Sequence, residues 1–503
     1  MKKTVLCLLL AGCIPALYAQ KDFNILKYGA VSGLSNSNTT AIQKAIDAAA
    51  QKGGRVVVPA GNYVTGPLML KSNVELHLQK DAVLAGSEKR LDYGEGKMSL
   101  VVCMGQKNVS VTGKGVIDGH GREIVENALM LLNEGKLEDD PEWLVKRPTE
   151  RNRPSVLFFK QCTNVKVTGI TLKNAASWVQ NYKECTQVFI DSITVQSTAY
   201  WNNDGIDIVD SKKVKISNSY FNAADDAICL KSEITEGVCE DVVVENCIAR
   251  SSANGFKIGT GSLGGFRNIT VKNLTVFDTY RSAVALETVD GAFLENVTVS
   301  NVNARNTGNA IFIRLGHRNK DNRYSTLQHV LIENVKAEIP LRKPDMGYPV
   351  EGPLPKVPPH NLLPSSIAGL PGHTIKDVQL KNIEIIYGGG SSREKAEVKM
   401  DSLGSITENP AGYPEFTMFG ELPAWGFYVR HAENIIMNNC TVKLKQDDFR
   451  PAIVFDDVKG LVLEKINIPA TATLPALIFK QVQGLERTQV VLPADNKAVL
   501  TIQ

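Results

Sequence analysis

Residues 201–232 read WNNDGIDIVDSKKVKISNSYFNAADDAICLKS. Inside this stretch, KVKISNSYFN is one copy of a unit N-φ-x-φ-x-x-φ-x-φ, where φ is apolar. The unit recurs with variations as NVSVTGKGVI, NVKVTGITLKN, QVFIDSITVQS, DVVVENCIARS, NITVKNLTVFD, FLENVTVSNV, HVLIENVKAEI, DVQLKNIEIIY and NIIMNNCTVKL. Self-similarity over most of a chain signals a repeat architecture. The strands are too short and evenly spaced for helical repeats, and no amphipathic helices intervene to make βαβ units. A β-propeller or sandwich is the competing reading, but no blade-sized motif with a Trp signature appears. The pattern therefore predicts an all-β chain wound as a right-handed parallel β-helix, with inward Val, Ile and Leu as core and Asn ladders at the turns.

The same stretch carries three carboxylates. Asp225 follows Asp204 by 21 positions, about one coil, and successive coils stack at roughly 4.8 Å. Asp204, Asp225 and Asp226 thus become neighbours in space. Close carboxylates resist joint ionisation, so one keeps its proton while the others stay charged. Glycoside hydrolysis needs that division of labour. A lone NxD or DD is more often an Asx turn capping backbone groups; two in register favour a site.

The chain has 503 residues, 43% hydrophobic and 22% charged, with a formal net charge of +3. A solenoid grows by stacking and can remain one domain at this length, so residues 20–503 are read as a single β-helix domain. The small charge points away from nucleic acid, and no apolar run is long enough to span a bilayer. Residues 1–19 of MKKTVLCLLLAGCIPALYAQ read as a secretory signal, making the protein exported, periplasmic or secreted. A lipoprotein-type box at Leu10–Cys13 competes. Cleavage after Ala19 is favoured, because little leader precedes Cys13 and apolar residues continue through Leu17. Of nine cysteines, Cys7 and Cys13 fall in the leader. The remaining odd, scattered set argues against a disulfide framework, and Cys229 and Cys247 read as small buried hydrophobes. No residue cluster suggests a metal or any other cofactor.

Thr39 to Lys52, TTAIQKAIDAAAQK, reads as an amphipathic helix capping the N-terminal end of the solenoid. Three stretches break the rhythm: 121–153, charged and partly helical; 341–373, proline-rich; and 388–424, rich in Gly and Ser. Long insertions in a solenoid are often functional rims; solvated loops are the equal alternative.

Together, the FNILKYGA opening at Phe23, the helical cap, the repeat, NNDGID and ADDA resemble glycoside hydrolase family 28, the polygalacturonase and rhamnogalacturonan-hydrolase family, over roughly residues 22–335. The resemblance implies that Asp225 is the general acid, and that Asp204 with Asp226 activates water. It also implies inversion, for which carboxyl groups usually stand about 6.5–9.5 Å apart. Two further motifs of that family differ here. Ala253-Asn254-Gly255 stands where it has Gly-His-Gly, and Ala285 and Glu287 stand where it has Arg-x-Lys. Asn cannot titrate, and an anion at Glu287 would repel a uronate carboxylate. Lys257, between inward Phe256 and Ile258, would face the groove as a compensating cation, with Arg281, Arg314 and His317 on later coils as further candidates. Each of these has a bland reading as an exposed face charge. Asn202, Asn254, Lys257, Glu287 and Arg314 are expected at the substrate. Trp178 and Trp201, with Tyr200, are expected as sugar platforms, since a β-helix interior seldom houses an indole. Trp143 and Trp425, in or beside insertions, are candidates to close a pocket.

The functional reading is an inverting glycoside hydrolase, exo-acting because the insertions would block an open groove, on rhamnogalacturonan- or galacturonan-derived oligosaccharides of plant cell walls. Three alternatives stay open: a neutral α-glycosidase on the same scaffold, a Ca²⁺-dependent lyase, and a non-catalytic carbohydrate-binding solenoid. The missing cations argue against the lyase.

Overall fold

Alternation of buried and exposed residues dictates the strands. In Thr326–Ile339, Leu327, Val330, Ile332, Val335, Ala337 and Ile339 point inward while Gln328, Glu333 and Lys336 do not. A computed structural model describes residues 21–94, 99–138, 140–344, 348, 361–395, 400–469, 475–493 and 499–502. The leader expected at 1–19, with the Cys13 box, lies outside them, as does most of the proline-rich stretch before Asn361.

The described strands join one 31-stranded sheet wound as a right-handed parallel β-helix. Successive coils pair in parallel register. One outward-facing column runs Asn181, Asp207, Cys229, Lys257, Ala285, Phe312, Ser366, Tyr428, Val454 and Ile478. Its flanking residues, Ile208, Leu230, Ile258, Leu286 and Ile313 among them, fill the core. No helix among the described residues is long and apolar enough to cross a membrane.

Asparagine turns the corners. Asn246, Asn273, Asn301, Asn334, Asn382 and Asn439 all adopt positive φ, which Asn tolerates better than most residues. Each amide donates to the preceding one at 2.8–3.1 Å, forming an amide ladder down the solenoid. Helix α1, Thr39–Ala50, lays Ile42, Ala45, Ile46 and Ala49 over the first coils and so covers their apolar end. The seven described cysteines are free and buried.

The insertions are built in. Residues 121–153 begin with helix α2, Gly121–Asn133, which buries Ile124, Val125, Ala128 and Leu131. The stretch marked as 341–373 includes Ser365–Ala368, a coil strand that pairs with Phe312–Arg314 on one side and with Phe427–Arg430 on the other. Its short SSIA sequence carries little strand signal. The described residues of 388–424 fold onto the outside of the sheet. Leu403, Ile406, Phe416, Phe419 and Leu422 form a second apolar cluster with Ala285, Phe312, Tyr428 and Val454.

Candidate active site

Coil stacking brings the acids together. Asp204 precedes strand Asp207–Val209, Asp225 and Asp226 precede Ile228–Ser232, Lys257 lies in Phe256–Ser262, and Glu287 lies in Gly265–Thr288. Gly205 permits the tight approach: a Cβ there would come 2.5 Å from the carbonyl oxygen of Ala227. One carboxyl oxygen from each of Asp204, Asp225 and Asp226 lies within 4.8 Å of the others. These nearest oxygens are closer than the group separation expected for inversion. Asp225 is 8% exposed against 3% for each of the other two, which makes it the acid most open to the groove.

The surroundings assign different tasks to the three. Asp226 is fully engaged: its Oδ1 accepts from the backbone N–H of Asn254 at 3.1 Å and from Asn254 Nδ2 at 2.7 Å, and its Oδ2 pairs with Lys257 Nζ at 3.1 Å. Burial works to raise its pKa, but Lys257, Lys231 and Arg281 outweigh this and hold it below the usual carboxylate value. Asp204 Oδ2 accepts from Lys231 Nζ at 2.8 Å, while Oδ1 is buried with no hydrogen-bond partner. Asp225 forms no ion pair among the described residues. Its Oδ2 accepts from Asn202 Nδ2 at 3.3 Å, and burial, followed by Asp204 and Asp226, pushes its pKa up to about 7. One proton donor thus faces one anion held by hydrogen bonds and one acid with an unused oxygen.

Lys231 and Asp207 belong to the cluster although sequence reasoning passed over them. Lys231 Nζ bonds Asp207 Oδ1 as well as Asp204, and stands 4.1 Å from the ring centroid of Trp178. Their signal was present: Asp207 lies between inward Ile206 and Ile208, and Lys231 follows inward Leu230, as Lys257 lies between Phe256 and Ile258. Asp204, Asp207 and Cys229 have ligand atoms close enough for a cation, but the Lys231 ammonium stands between the two acids in the role a metal would take. Burial opposes its charge, yet Asp204 and Asp207 hold its pKa well above the usual lysine value.

Among the residues expected at the substrate, Lys257 and Glu287 reach this cluster. Lys257 is 1% exposed and lies 3.7 Å from Glu287 Oε2. Burial, partly offset by Lys257, raises Glu287 to about 7. Asn202 touches Asp225, and Trp178 and Trp201 are half-buried near it. Asn254 is corrected: it sits beneath Asp226, with Oδ1 accepting from the backbone N–H of Ser282, so its polar atoms serve the acid rather than a ligand. Arg314 is also corrected. It is wholly buried and donates to the carbonyls of Ala368, Gly369, Glu408 and Asn409, clamping the 388–424 insertion to the sheet. His317 stacks on Tyr324 at 4.2 Å instead of facing the acids. Trp425 is a core residue, edge-on to Tyr387 at 5.7 Å, so this interior does house an indole.

Two of the three insertions contribute side chains that no local pattern marks. From 388–424, Tyr413 Oη accepts from Lys257 Nζ at 3.3 Å, and Glu415 pairs with Arg281 at 3.1 Å. From 121–153, Arg153 donates to the Trp201 carbonyl at 2.9 Å and to Asn202 Oδ1 at 3.1 Å, and the Arg147 guanidinium lies 5.4 Å from the Trp201 ring centroid.

Known proteins resemble this chain in sequence and fold. The profile of Glycosyl hydrolases family 28 matches residues 49–339. An exo-poly-α-D-galacturonosidase of Dickeya chrysanthemi is 28% identical over 250 residues, 41% of this chain and 41% of that protein. A probable polygalacturonase of Vitis vinifera is 24% identical over 58% of this chain and 57% of its own. The chain thus spans about half the length of these curated relatives. The crystal structure of an exopolygalacturonase from Thermotoga maritima superposes with a TM-score of 0.59 at 22% identity, covering 83% of this chain and 91% of that one. With its profile matched over more than half of the sequence, the chain belongs to glycosyl hydrolases family 28.

Proposed function

We propose that the protein is an exo-acting, inverting glycoside hydrolase on pectin-type oligosaccharides derived from galacturonan or rhamnogalacturonan. The observation that carries this reading is the division of the acids: burial and its acidic neighbours raise Asp225 to about 7, so it keeps its proton far above the usual carboxylate range, while Asp226 is held below its ordinary value beside it. Asp225 delivers its proton to the glycosidic oxygen. Asp204 Oδ1, buried and without a partner among the described residues, accepts a hydrogen bond from the attacking water, and the Asp226 charge, held by Lys257 and Asn254, stands beside it on the next coil. Exo action is supported by the insertions, which bring Tyr413, Glu415, Arg147 and Arg153 to the ends of the acid cluster, and by the exo-acting enzymes among the relatives. An exported protein with its leader in residues 1–19 would meet such a substrate outside the cell.

One observation favours a second reading of the stereochemistry. Carboxyl groups of retaining enzymes stand about 5–5.5 Å apart, nearer to the close approach of these oxygens, and Asp204 Oδ1 has no partner among the described residues to occupy it. Product release from pectic oligosaccharides, followed by proton NMR from the first seconds, separates the two. A single monosaccharide released with inverted configuration supports the proposal; a retained anomer makes Asp204 a nucleophile. Absence of release from every pectic substrate would remove the hydrolase reading.

A further inference from the structure

The cations that the family resemblance places at Ala285 and Glu287 are absent here, and those nearby are committed to acids. Lys257 is paired with Asp226 and Glu287, Lys231 with Asp204 and Asp207, and Arg281 with Glu415. On the Glu287 side of the acids Arg314 is wholly buried and held by the carbonyls of Ala368, Gly369, Glu408 and Asn409, Arg318 is paired with Asp290, and Glu287 and Glu415 add negative charge.

The opposite side differs. Arg153 is 2% exposed, yet among the described residues its hydrogen bonds go only to neutral acceptors: the carbonyls of Ala176 and Trp201, and Asn202 Oδ1. Its Nε is buried with no partner. Arg147, half-buried over the Trp201 ring, forms no ion pair among the described residues. The two guanidiniums are near enough to repel: burial first, then Arg147, brings the pKa of Arg153 down to about 10. Asp140 and Glu150 contribute to the local field, but Asp140 Oδ2 is taken by the Thr149 N–H, the Thr149 hydroxyl and Asn152 Nδ2. Leaving two close guanidiniums without a bonded carboxylate costs free energy that an anionic ligand would recover.

We propose that Arg147 and Arg153, set by Trp201 and Asn202, form a subsite that binds the carboxylate of a uronic acid unit on the Asp204 side of the scissile bond. Asn202 is the link: it accepts from Arg153 and donates to Asp225, so a carboxylate held by the arginines lies one residue from the acid. A planar guanidinium matches a carboxylate with two parallel N–H bonds, which a neutral sugar cannot reciprocate. Specificity for charge is thereby placed on the first insertion rather than on the downstream coils. The inference rests on the hydrolase reading for the position of the scissile bond, but the carboxylate site stands on its own.

The experiment is calorimetric titration of digalacturonate and its methyl ester into full-length Asp225→Asn protein, with and without Arg147→Gln. Loss of one charge-assisted pair is expected to weaken digalacturonate binding by roughly tenfold or more, with little change for the ester. Arg147→Lys should recover part of the loss, which a merely structural role would not predict, and the thermal midpoint should hold within a few degrees. Equal affinity with and without Arg147, equal affinity for acid and ester, or no binding of digalacturonate by the parent protein overturns the subsite. Intact binding without hydrolysis by the wild-type chain would instead sink the hydrolase reading and leave the subsite standing.

Discussion

The outer face of one sheet carries two clusters of charge, and they are balanced in opposite ways. In one column Glu287 stacks in register with Arg314, Ala368, Arg430, Asp456 and Lys480. At its far end the charges close on one another: Asp456 meets Arg430 at 3.3 Å and Lys480 at 3.2 Å, and Arg430 also meets Glu408 at 2.8 Å. Around the candidate site the acids Asp204, Asp207, Asp225, Asp226 and Glu287 face Lys231, Lys257 and Arg281, the last shared with Glu415. Acids outnumber cations there. The surplus is neutralised by protons, and both Asp225 and Glu287 accordingly sit at about 7. A structural region pairs its charges, whereas a proton-transfer region leaves some unpaired and holds protons in their place.

The largest test removes the proposed proton donor. Asp225→Asn keeps the shape and abolishes titration, and kcat on pectic oligosaccharides should fall by about 10²–10⁴-fold, the usual contribution of a general acid. A rate within a few-fold of wild type, measured by released reducing sugar, would dismiss Asp225 as the acid. Next comes the cation that the surplus acids depend on. Lys257→Met strands Asp226 and Glu287 in a buried setting and should cost about 3–5 kcal/mol in urea unfolding. Adding Glu287→Gln should return part of it. No recovery in the double variant would show that Lys257 acts through Asp226 alone.

The acid pair was legible because solenoid repetition converts a spacing of about 21 residues into adjacency, and because alternation fixes direction. Lys257 followed from its inward neighbours, and the same rule applied to Asp207 and Lys231 would have completed the cluster. Arg147, Arg153, Tyr413 and Glu415 were not legible, because they come from insertions that share no period with the coils. Their positions depend on long-range docking: α2 for one insertion and the Phe416–Phe419 cluster for the other. Trp425 misled for a related reason. It follows an insertion, where no repeat reveals whether the chain has already re-entered the core.

Protons held in place of cations also make stability depend on pH. Asp225 and Glu287 have folded values near 7, above their ordinary values of 3.8 and 4.5, so the native state binds more protons between those limits. Stability from these groups is present below about pH 4 and is lost as pH rises through about 7. Asp226, held below its ordinary value, works in the opposite sense and loses its contribution as pH falls. Urea midpoints should therefore decline from pH 5 to pH 8, and Glu287→Gln should flatten that decline by an amount on the order of 1–3 kcal/mol. The paired cluster at Asp456 provides the control: Asp456→Asn should leave the slope over this interval unchanged. An identical slope in Glu287→Gln and wild type would remove Glu287 from the proton-holding set.

The smallest effect probes how the last insertion meets the unpaired region. Tyr413 is 49% exposed, and its hydroxyl accepts from Lys257, a lysine already claimed by two carboxylates. Tyr413→Phe removes only that acceptor and should cost about 0.5–1.5 kcal/mol, because Lys257 keeps its stronger partners. The ring also lies near both Lys257 and Arg281, at 5.4 and 5.6 Å from its centroid, and Phe preserves much of that attraction. Stability should thus change little, while kcat/KM falls by a few-fold as Lys257 loses one of the contacts that aim it at Asp226. A larger loss of activity from Tyr413→Phe than from Glu287→Gln would reverse the weighting. It would mean that the insertion, rather than the acid ladder, sets the position of the ammonium, and that charge pairing in the solenoid supplies only the background against which the insertion works.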